Sequence, residues 1–296
     1  MASDLLSIGK SGAQAARIAL DVTAQNIATA SSEGYVRRSV SLAELSSTGA
    51  FGQAGAVSLS GVRLQSVVRN ADLFRQSEAR RTGADAARAS AEVAGLENIE
   101  SAIEQTGVYP AIVQFEASLQ RLVGDPVDPS LRTAVLEDAR TMASTFAMAA
   151  GALDTAGQGL RFEAGAGVDQ VNVLAGELAR VNLRLARAAD SSSDQSTLLD
   201  QRDALLEKLS GQANITATIN ADRTVDVRLG DASGPALVAG GAAGTLAMTT
   251  AANGSIGFTL GGSAVSLTGG ALAGKALALD KLADVGARLD TLARTV

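Results

Sequence analysis

Near the start of the chain stands the stretch DVTAQNIATASSEGYVRR, residues 21–38. A helical pattern runs into it from the N-terminus and reaches Ile27. Small and polar residues, a Gly-Tyr pair and two arginines then follow, with no catalytic constellation beside them. The periodicity predicts one helix over residues 4–29, so the chain changes structure inside this stretch.

The predicted N-terminal helix carries small and apolar side chains on two of its sides. A surface helix needs only one such stripe, so two stripes favour a helix that is buried on both sides. A plainer explanation is that alanine is a strong helix former, and the pattern alone leaves both explanations open. The first stripe consists of Leu5, Ile8, Gly12, Ala15, Ala19 and Val22, and the second of Leu6, Gly9, Ala13, Ala16, Leu20, Thr23 and Ile27.

The 296 residues contain no Cys and no His, which excludes several classes of active site. Without Cys there is no disulfide or thiolate chemistry, and without His there is no Ser-His-Asp triad or HExxH zinc site. The net charge of −6 and the pI of about 4.9 argue against a nucleic-acid partner. No apolar run approaches the roughly 20 residues of a membrane span, and the first residues lack a secretory signal. We therefore expect no membrane insertion, and a protein that is cytoplasmic or leaves by a route that needs no such signal.

A β segment and two helical regions follow the N-terminal helix. The stretches SVSLAEL and AVSLSGVRLQSVVR alternate apolar and polar residues and predict strands, with a Gly-rich loop, STGAFGQAG, between them. Apolar periodicity then predicts a helix over 71–106 and a short one over 111–123, separated by a Tyr-Pro break at 109–110. Asp128 and Ser130 are candidate N-caps for the next helix.

That next helix is long and begins near Leu131. Its apolar stripes continue to Ala188, and a polar turn at 189–196 separates it from a helix that runs to about Gly211. Two sustained stripes joined by a short turn predict an antiparallel helical hairpin with coiled-coil packing.

Residues 213–270 are rich in Gly and predict a small β domain. NITATI and TVDVRL alternate cleanly around a turn, and an Asn-Gly pair at 253–254 is a strong signal for a second hairpin. In the first hairpin one strand, with Ile215, Ala217 and Ile219, is expected to face the other, with Val225, Val227 and Leu229.

The predicted fold class is mainly α with a smaller β part: a long antiparallel helical bundle with coiled-coil packing, plus a small Gly-rich β domain. The last helical stripe is still in phase at Val296, which is typical of a truncated helix. The predicted parts are an N-terminal helix (1–34), a β connector (35–70), a helical bundle (71–212), the β domain (213–275) and a helix that returns toward the bundle (276–296).

Three stretches with possible chemical meaning are weak signals. GGALAGKA, residues 269–276, fits G-x-x-x-x-G-K, but Ala276 stands where a Ser or Thr would bind Mg²⁺. The acidic residues of 92–104 are typical of a solvated helix face. In LLDQRDALLEKLS, residues 198–210, Arg202 is expected to snorkel or to pair with an acid from a neighbouring helix. We therefore predict no catalytic residue, no cofactor and no metal site.

The opening stretch resembles the N-terminal signature of bacterial flagellar axial proteins, the rod, hook and hook-associated family. In that family a helix ends in an Asn-Ile-Ala pattern that is followed by Gly-Tyr and a basic residue. The chain departs from it at 32–33, where Ser-Glu replaces the usual Thr-Pro. Residues 125–146 and 196–230 resemble the branch of the family that joins the hook to the filament. The matching signature residues are Asn26, Ile27, Ala28, Thr29, Ala30, Gly34, Tyr35, Arg37 and Arg38.

The resemblance implies a structural, flagellin/hook-associated-like protein that is not an enzyme. Its partners would be other copies of itself in a ring or helical assembly, the hook subunit, the second hook–filament junction protein, the flagellar export apparatus and an export chaperone. It would reside outside the cell, at the hook–filament junction, after flagellar type III secretion. The residues implied in subunit contacts are Leu5, Ile8, Ala15, Ala19, Val22, Asn26, Ile27, Gly34, Tyr35 and Arg37.

Three alternatives stay open at this point. The family's C-terminal helix, the partner of residues 4–29, has no counterpart here, which suggests either a piece of a longer product or a dispensable paralogue. A distal rod or hook subunit is the second alternative, although it should lack the match at 196–230. A carboxylate-dependent glycan hydrolase is the third, and its candidate acids would be Asp222, Asp226 and Asp231.

Overall fold

The structure, a computed structural model, describes residues 2–31, 35–47, 58–188 and 193–296. These ranges contain six helices and nine strands, so the prediction of a mainly α protein with a smaller β part is confirmed. The helices are α1 (Ala2–Ala28), α2 (Leu73–Glu104), α3 (Val108–Gly124), α4 (Pro129–Leu185), α5 (Ser193–Gln212) and α6 (Ala271–Thr295). The strands are β1 (Arg38–Ser47), β2 (Ser58–Arg69), β3 (Ile215–Ile219), β4 (Val225–Leu229), β5 (Ala236–Ala239), β6 (Ala242–Ala243), β7 (Leu246–Thr250), β8 (Ile256–Leu260) and β9 (Ser263–Val265).

Helix α1 and the first β segment agree with the sequence patterns. Strands β1 and β2 pair antiparallel from Arg38↔Arg69 at the base of the hairpin to Ser47↔Ser58 at its far end. Asn70 N–H donates to Arg37 O just below the first pair, at 2.9 Å. The predicted Gly-rich loop at 47–55 lies almost wholly outside the described residues. The loop that closes the hairpin is therefore not described, whereas the paired strands are.

The predicted break at 109–110 is wrong by a few residues. Helix α2 ends at Glu104, and Gly107 adopts a positive φ of 71°. Glycine tolerates this left-handed conformation, which turns the chain before α3 begins at Val108. Pro110 then falls in the first turn of α3, where a residue without an N–H is tolerated.

Helix α4, 57 residues long, begins where its cap predicts. The Asp128 carboxylate accepts from the N–H groups of Ser130 and Leu131, and Pro129 occupies the first turn. The N-cap is therefore Asp128, while the hydroxyl of Ser130, the other candidate, donates to the same carboxylate.

Helices α4 and α5 form the predicted antiparallel hairpin. Arg184 contacts Gln201 near the turn, and Gln170 contacts Gln212 at the other end of α5. Residues 189–192 of the predicted turn lie outside the described residues, and α5 already begins at Ser193.

The β part packs on the second half of α4 and shares one apolar core with it. The predicted hairpin register is confirmed, because Ile215 pairs with Leu229, Ala217 with Val227 and Ile219 with Val225. The Asn-Gly turn joins β7 and β8. The core residues with essentially no exposure include Val171, Ala175, Leu178, Leu206, Leu209, Val225, Val227, Leu229, Leu237 and Leu272.

Helix α6 begins five residues before the predicted position. Gly270, with a φ of 82°, precedes the first helical residue, and its N–H donates to Ala84 O of α2. The GGALAGKA stretch is therefore mostly the first turn of a helix packed against α2. Lys275, the lysine of that motif, pairs with Glu163 of α4 at 2.9 Å.

Candidate interaction site at the base of the N-terminal helix

One side of α1 lies against the β1–β2 hairpin. Ala15 is buried there, and the other members of the first stripe from Ile8 to Val22 are half-buried. Ser11 Oγ donates to Ile8 O and accepts from Val62 N–H at 3.2 Å. A Cβ on Gly61, which has a φ of 101°, would collide with this hydroxyl. Helix and hairpin therefore approach each other closely and form one packed unit.

The other side of α1 is open to solvent. Leu6 is 79% exposed, Leu20 69% and Ile27 73%. Monomeric proteins rarely expose aligned large apolar side chains, and such patches mark interaction surfaces. We call Leu6, Leu20 and Ile27, together with the adjacent Leu5, the exposed stripe of α1.

Asn26 ties the end of α1 to the start of β1. Its side-chain NH₂ donates to Arg38 O at 2.8 Å, and its Oδ1 accepts from Arg38 N–H at 2.9 Å. The same Oδ1 accepts from the Tyr35 hydroxyl at 2.8 Å. Three residues of the signature therefore meet at one point, although 12 positions separate Asn26 from Arg38.

The Arg38 side chain continues from this point into the helical body. Its guanidinium lies 5.6 Å from the centre of the Tyr35 ring, within the range of a cation–π contact. Its Nη2 donates to Asp200 Oδ2 of α5 at 2.7 Å. Arg38 is only 7% exposed, so this pair is formed largely out of water.

Arg69 approaches the same acids from the other strand of the hairpin. Its Nε and Nη2 contact Asp200 Oδ1 at 2.9 and 2.7 Å, and its Nη2 contacts Asp203 Oδ2 at 2.8 Å. Since Arg38 and Arg69 are register partners, the base of the hairpin presents two arginines side by side. We call Arg38, Arg69, Asp200 and Asp203 the arginine–aspartate joint.

Asp203 is held as a carboxylate in this buried setting. Burial alone raises its pKa, but the charge of Arg202 and the hydrogen bonds from Arg69 and Arg202 outweigh this effect and lower the pKa below its usual value. Arg202, expected to snorkel or to pair across helices, instead pairs with its sequence neighbour Asp203 and donates to Arg223 O.

The joint could have been anticipated only in part from the sequence. Asp200 and Asp203 are three residues apart in α5 and so share a helix face, which is a visible signal. No sequence feature near these two acids indicates that their partners, Arg38 and Arg69, lie 131 to 162 positions earlier in the chain. The predicted subunit-contact set includes Arg37, which is exposed, and omits the adjacent signature residue Arg38, whose side chain contacts Asp200.

The ten predicted subunit-contact residues fall into different places. Leu5, Ile27 and Arg37 are exposed, and Ile8, Ala15, Ala19 and Val22 lie on the hairpin side of α1. Asn26 and Tyr35 bond to each other within the chain. Gly34 lies outside the described residues.

Comparison with known proteins identifies the family. Residues 93–296 match the family described as flagellar hook-associated protein FlgK helical domain. The chain belongs to the FlgK family. This match begins within α2 and includes the two acids of the joint, and the resemblance and fold class expected from the sequence are confirmed.

Individual FlgK relatives extend the match toward the N-terminus. Flagellar hook-associated protein 1 of Escherichia coli (strain K12) is 27% identical over 250 residues, which cover 83% of this chain and 45% of that protein. Its namesake in Bacillus subtilis (strain 168) is 29% identical over 223 residues, 73% of this chain and 44% of that protein. The structure of the flagellar hook junction protein FlgK from Burkholderia pseudomallei superimposes with a TM-score of 0.57 at 25% identity, covering 70% of this chain and 38% of that one. The chain therefore spans less than half the length of the curated relatives it matches.

The acids proposed for hydrolysis are engaged in the turns of this FlgK-family β part. The Thr224 hydroxyl donates to Asp222 and lowers the pKa of its carboxyl, and Ser233 does the same to Asp231. Asp226 accepts from Gly240 N–H. A general acid needs a raised pKa, which is the opposite of the shift at Asp222 and Asp231.

The acidic side chains and the helices of the described ranges bear on metal binding and on membrane insertion. These residues include no group of three or more acidic side chains placed to hold a metal ion. None of their helices is long and apolar enough to cross a bilayer.

Proposed function

We propose that this chain is a structural subunit of the bacterial flagellum and acts at the junction between hook and filament. The observation that carries the proposal is the exposed stripe of α1 on a chain of the FlgK family. An aligned apolar face on a helix whose opposite side packs against its own chain is what a subunit contact requires, because burying it removes apolar surface from water. Adapting the hook to the filament and allowing flagellin to assemble is the role that follows.

The partners we propose follow from this role. They are further copies of the chain in a ring or helical assembly, the hook subunit and the second junction protein. The chain would reach the outside of the cell through the flagellar type III export apparatus, with an export chaperone as a further partner. For the domain organisation we propose the boundaries predicted at 34, 70 and 212, and we move the last boundary from 275 to 270, because α6 begins at Ala271.

Within the predicted contact set we propose two kinds of role. Leu5, Ile27 and Arg37 are exposed and would touch neighbouring subunits directly. The buried and half-buried members, such as Ala15 and Val22, would act by holding α1 on its hairpin, so that the exposed stripe keeps its direction. Gly34 belongs to the proposed set on the strength of the signature.

We propose no enzymatic activity. The three acids of the hydrolase alternative bond to turn residues, and the lowered pKa values of Asp222 and Asp231 keep them ionised. A glycosidase needs two carboxyl groups that converge across a cleft, one of them protonated. Turn caps with lowered pKa values do not supply that pair.

The proposal is tested by deleting the gene and examining the cells by electron microscopy, with flagellin measured in the medium. We expect hooks without filaments and flagellin shed as monomer. Normal filaments would contradict the proposal and would favour a dispensable paralogue. Rods without hooks would favour the distal rod or hook alternative.

Complementation then tests the exposed stripe. A variant with Leu6→Gln, Leu20→Gln and Ile27→Gln should be exported but should not restore filaments, because it lacks the apolar contact. The matched control changes three exposed polar positions of the same helix, Lys10→Gln, Arg17→Gln and Asp21→Asn, and should restore them. Full restoration by the first variant would show that this face makes no essential contact.

A further inference from the structure

The described part of the chain consists of two packed bodies with little shared surface. Helix α1 packs on β1 and β2, and we call these three elements the N-terminal unit. Helices α2–α6 pack on one another and on β3–β9, and we call them the main body. Over the ranges that the structure describes, no extended packing face joins an element of the N-terminal unit to one of the main body.

The arginine–aspartate joint connects the two bodies. Both arginines come from the base of the hairpin and both acids from one face of α5. Arg69 bridges the two acids, and Arg38 holds the second oxygen of Asp200. Beside the joint, a cavity of about 160 Å³ lies between Tyr35 and Val36, which lead into β1, and Ala79 of α2. Apolar packing at this contact is therefore incomplete, and ion pairs make the connection.

Buried ion pairs of this kind fix the relative orientation of the two bodies that they join more than they stabilise the contact between them. Moving charges out of water carries a desolvation penalty that the attraction only roughly offsets. Arg38 Nε is buried without a hydrogen-bond partner among the described atoms, which adds to the penalty. Planar guanidinium groups that contact two oxygens nevertheless accept a narrow range of orientations. If the joint opened, the two arginines and Asp200 would regain water, while Asp203 would keep its pair with Arg202.

We infer that the arginine–aspartate joint is a latch: it fixes the orientation of the N-terminal unit on the main body, and when it opens the two bodies separate while each keeps its fold. The N-terminal unit would stay folded because Asn26, Ser11 and Gly61 join α1 to the hairpin without the acids. The main body would stay folded because its core lies between α4, α5 and the sheets, and Asp203 retains Arg202. This inference does not depend on the flagellar role.

The test measures the distance between the two bodies in the 296-residue chain. Because the chain has no Cys, spin labels can be placed at Ala16→Cys in α1 and Ala186→Cys after α4, both at exposed positions. Pulsed electron resonance should give one narrow distance distribution for the parent chain. The variant Arg38→Gln with Arg69→Gln should give a broad one. The control Arg37→Gln, which changes the exposed neighbouring arginine, should leave the distribution narrow.

Hydrogen exchange of the same proteins shows whether the bodies remain folded. Amides of Val171, Leu178 and Val227 should keep their protection in the double variant, because these residues lie in the core of the main body. A distribution that stays narrow overturns the inference, and so does loss of protection in this core. Should the double variant fail to fold, Asp200→Asn decides by the same two measurements, since it removes the acid shared by both arginines.

Discussion

At the scale of single residues, asparagine side chains connect helices to strands in this protein by imitating a peptide group. Asn26 bonds to both the N–H and the C=O of Arg38. Asn172 of α4 does the same to Leu246, at 2.8 and 2.9 Å, and Asn182 does the same to Val225. A carboxamide carries one acceptor and a donor group in a fixed plane, so it satisfies a strand residue that has no neighbouring strand on that side.

Replacing Asn26 should loosen the N-terminal unit. Asn26→Ala leaves the N–H and C=O of Arg38 and the Tyr35 hydroxyl without this partner, and we expect the hairpin to lose about 1–3 kcal/mol of local stability. Hydrogen exchange of the β1 and β2 amides measures this loss. The exposed neighbour Gln25→Ala is the control and should leave the exchange unchanged. Equal protection in both variants would show that Asn26 does not hold the hairpin.

The lowered pKa of Asp203 makes a prediction about acid stability. Because its folded pKa lies below the unfolded value of about 3.9, the carboxylate contributes stability above that pH and loses it as the pH falls through the folded value. Below pH 4, Asp203→Asn should therefore reduce the slope of unfolding free energy against pH, by at most about 1.4 kcal/mol per pH unit for one proton.

Urea unfolding at a series of pH values measures that slope. Asp169→Asn is the matched control, since Asp169 is exposed and makes no ion pair within the described ranges. Asp169→Asn should change the slope less than Asp203→Asn does. An unchanged slope in Asp203→Asn would mean that this carboxylate binds its proton equally well in the folded and unfolded chain.

At the scale of helices, α2 and α6 cross at a contact that only glycine permits. A Cβ on Gly274 of α6 would overlap Arg88 O and lie 2.9 Å from Glu92 N, both backbone atoms of α2. A Cβ on Gly95 of α2 would similarly overlap the Cβ of Ala278. Because backbone atoms cannot rotate away, the missing side chain determines how closely the two helices approach.

Alanine at two positions of α6 should therefore have opposite effects. Gly274→Ala should destabilise the main body by about 1–3 kcal/mol, because overpacking outweighs the better helix propensity. Gly286→Ala, with nothing within 4 Å of the added carbon, should stabilise it by about 0.5–1 kcal/mol. Urea unfolding of the two variants compares them directly. A stabilised Gly274→Ala would mean that the helices separate at no penalty.

These elements also show how far the sequence alone could predict the structure. Periodicity predicted α1, α4 and the β3–β4 register because one repeated apolar pattern determines each of them. It misplaced the start of α3, because a single positive φ at Gly107 sets that break. It did not reveal the joint, because the pairing of Arg69 with Asp200 depends on how distant elements pack.

At the scale of the whole molecule, α1 resolves the ambiguity of its two stripes. One stripe faces the hairpin, and the other remains open to solvent, so helix propensity alone does not explain the pattern. A helix that uses one face inside its own chain has the second face available for a neighbour. The joint then gives that second face a defined direction relative to the main body.

The open face should make the chain associate with itself as its concentration rises. Burying Leu6, Leu20 or Ile27 contributes about 1.5–3 kcal/mol each, so replacing one of them by Gln should weaken association about tenfold or more. Sedimentation velocity over a wide range of concentration should show heavier species for the parent chain and a monomer for the triple Gln variant. At concentrations low enough for both to be monomeric, both should melt at the same temperature, since these side chains pack little within the chain. Association that survives in the triple variant would locate the self-contact on another face.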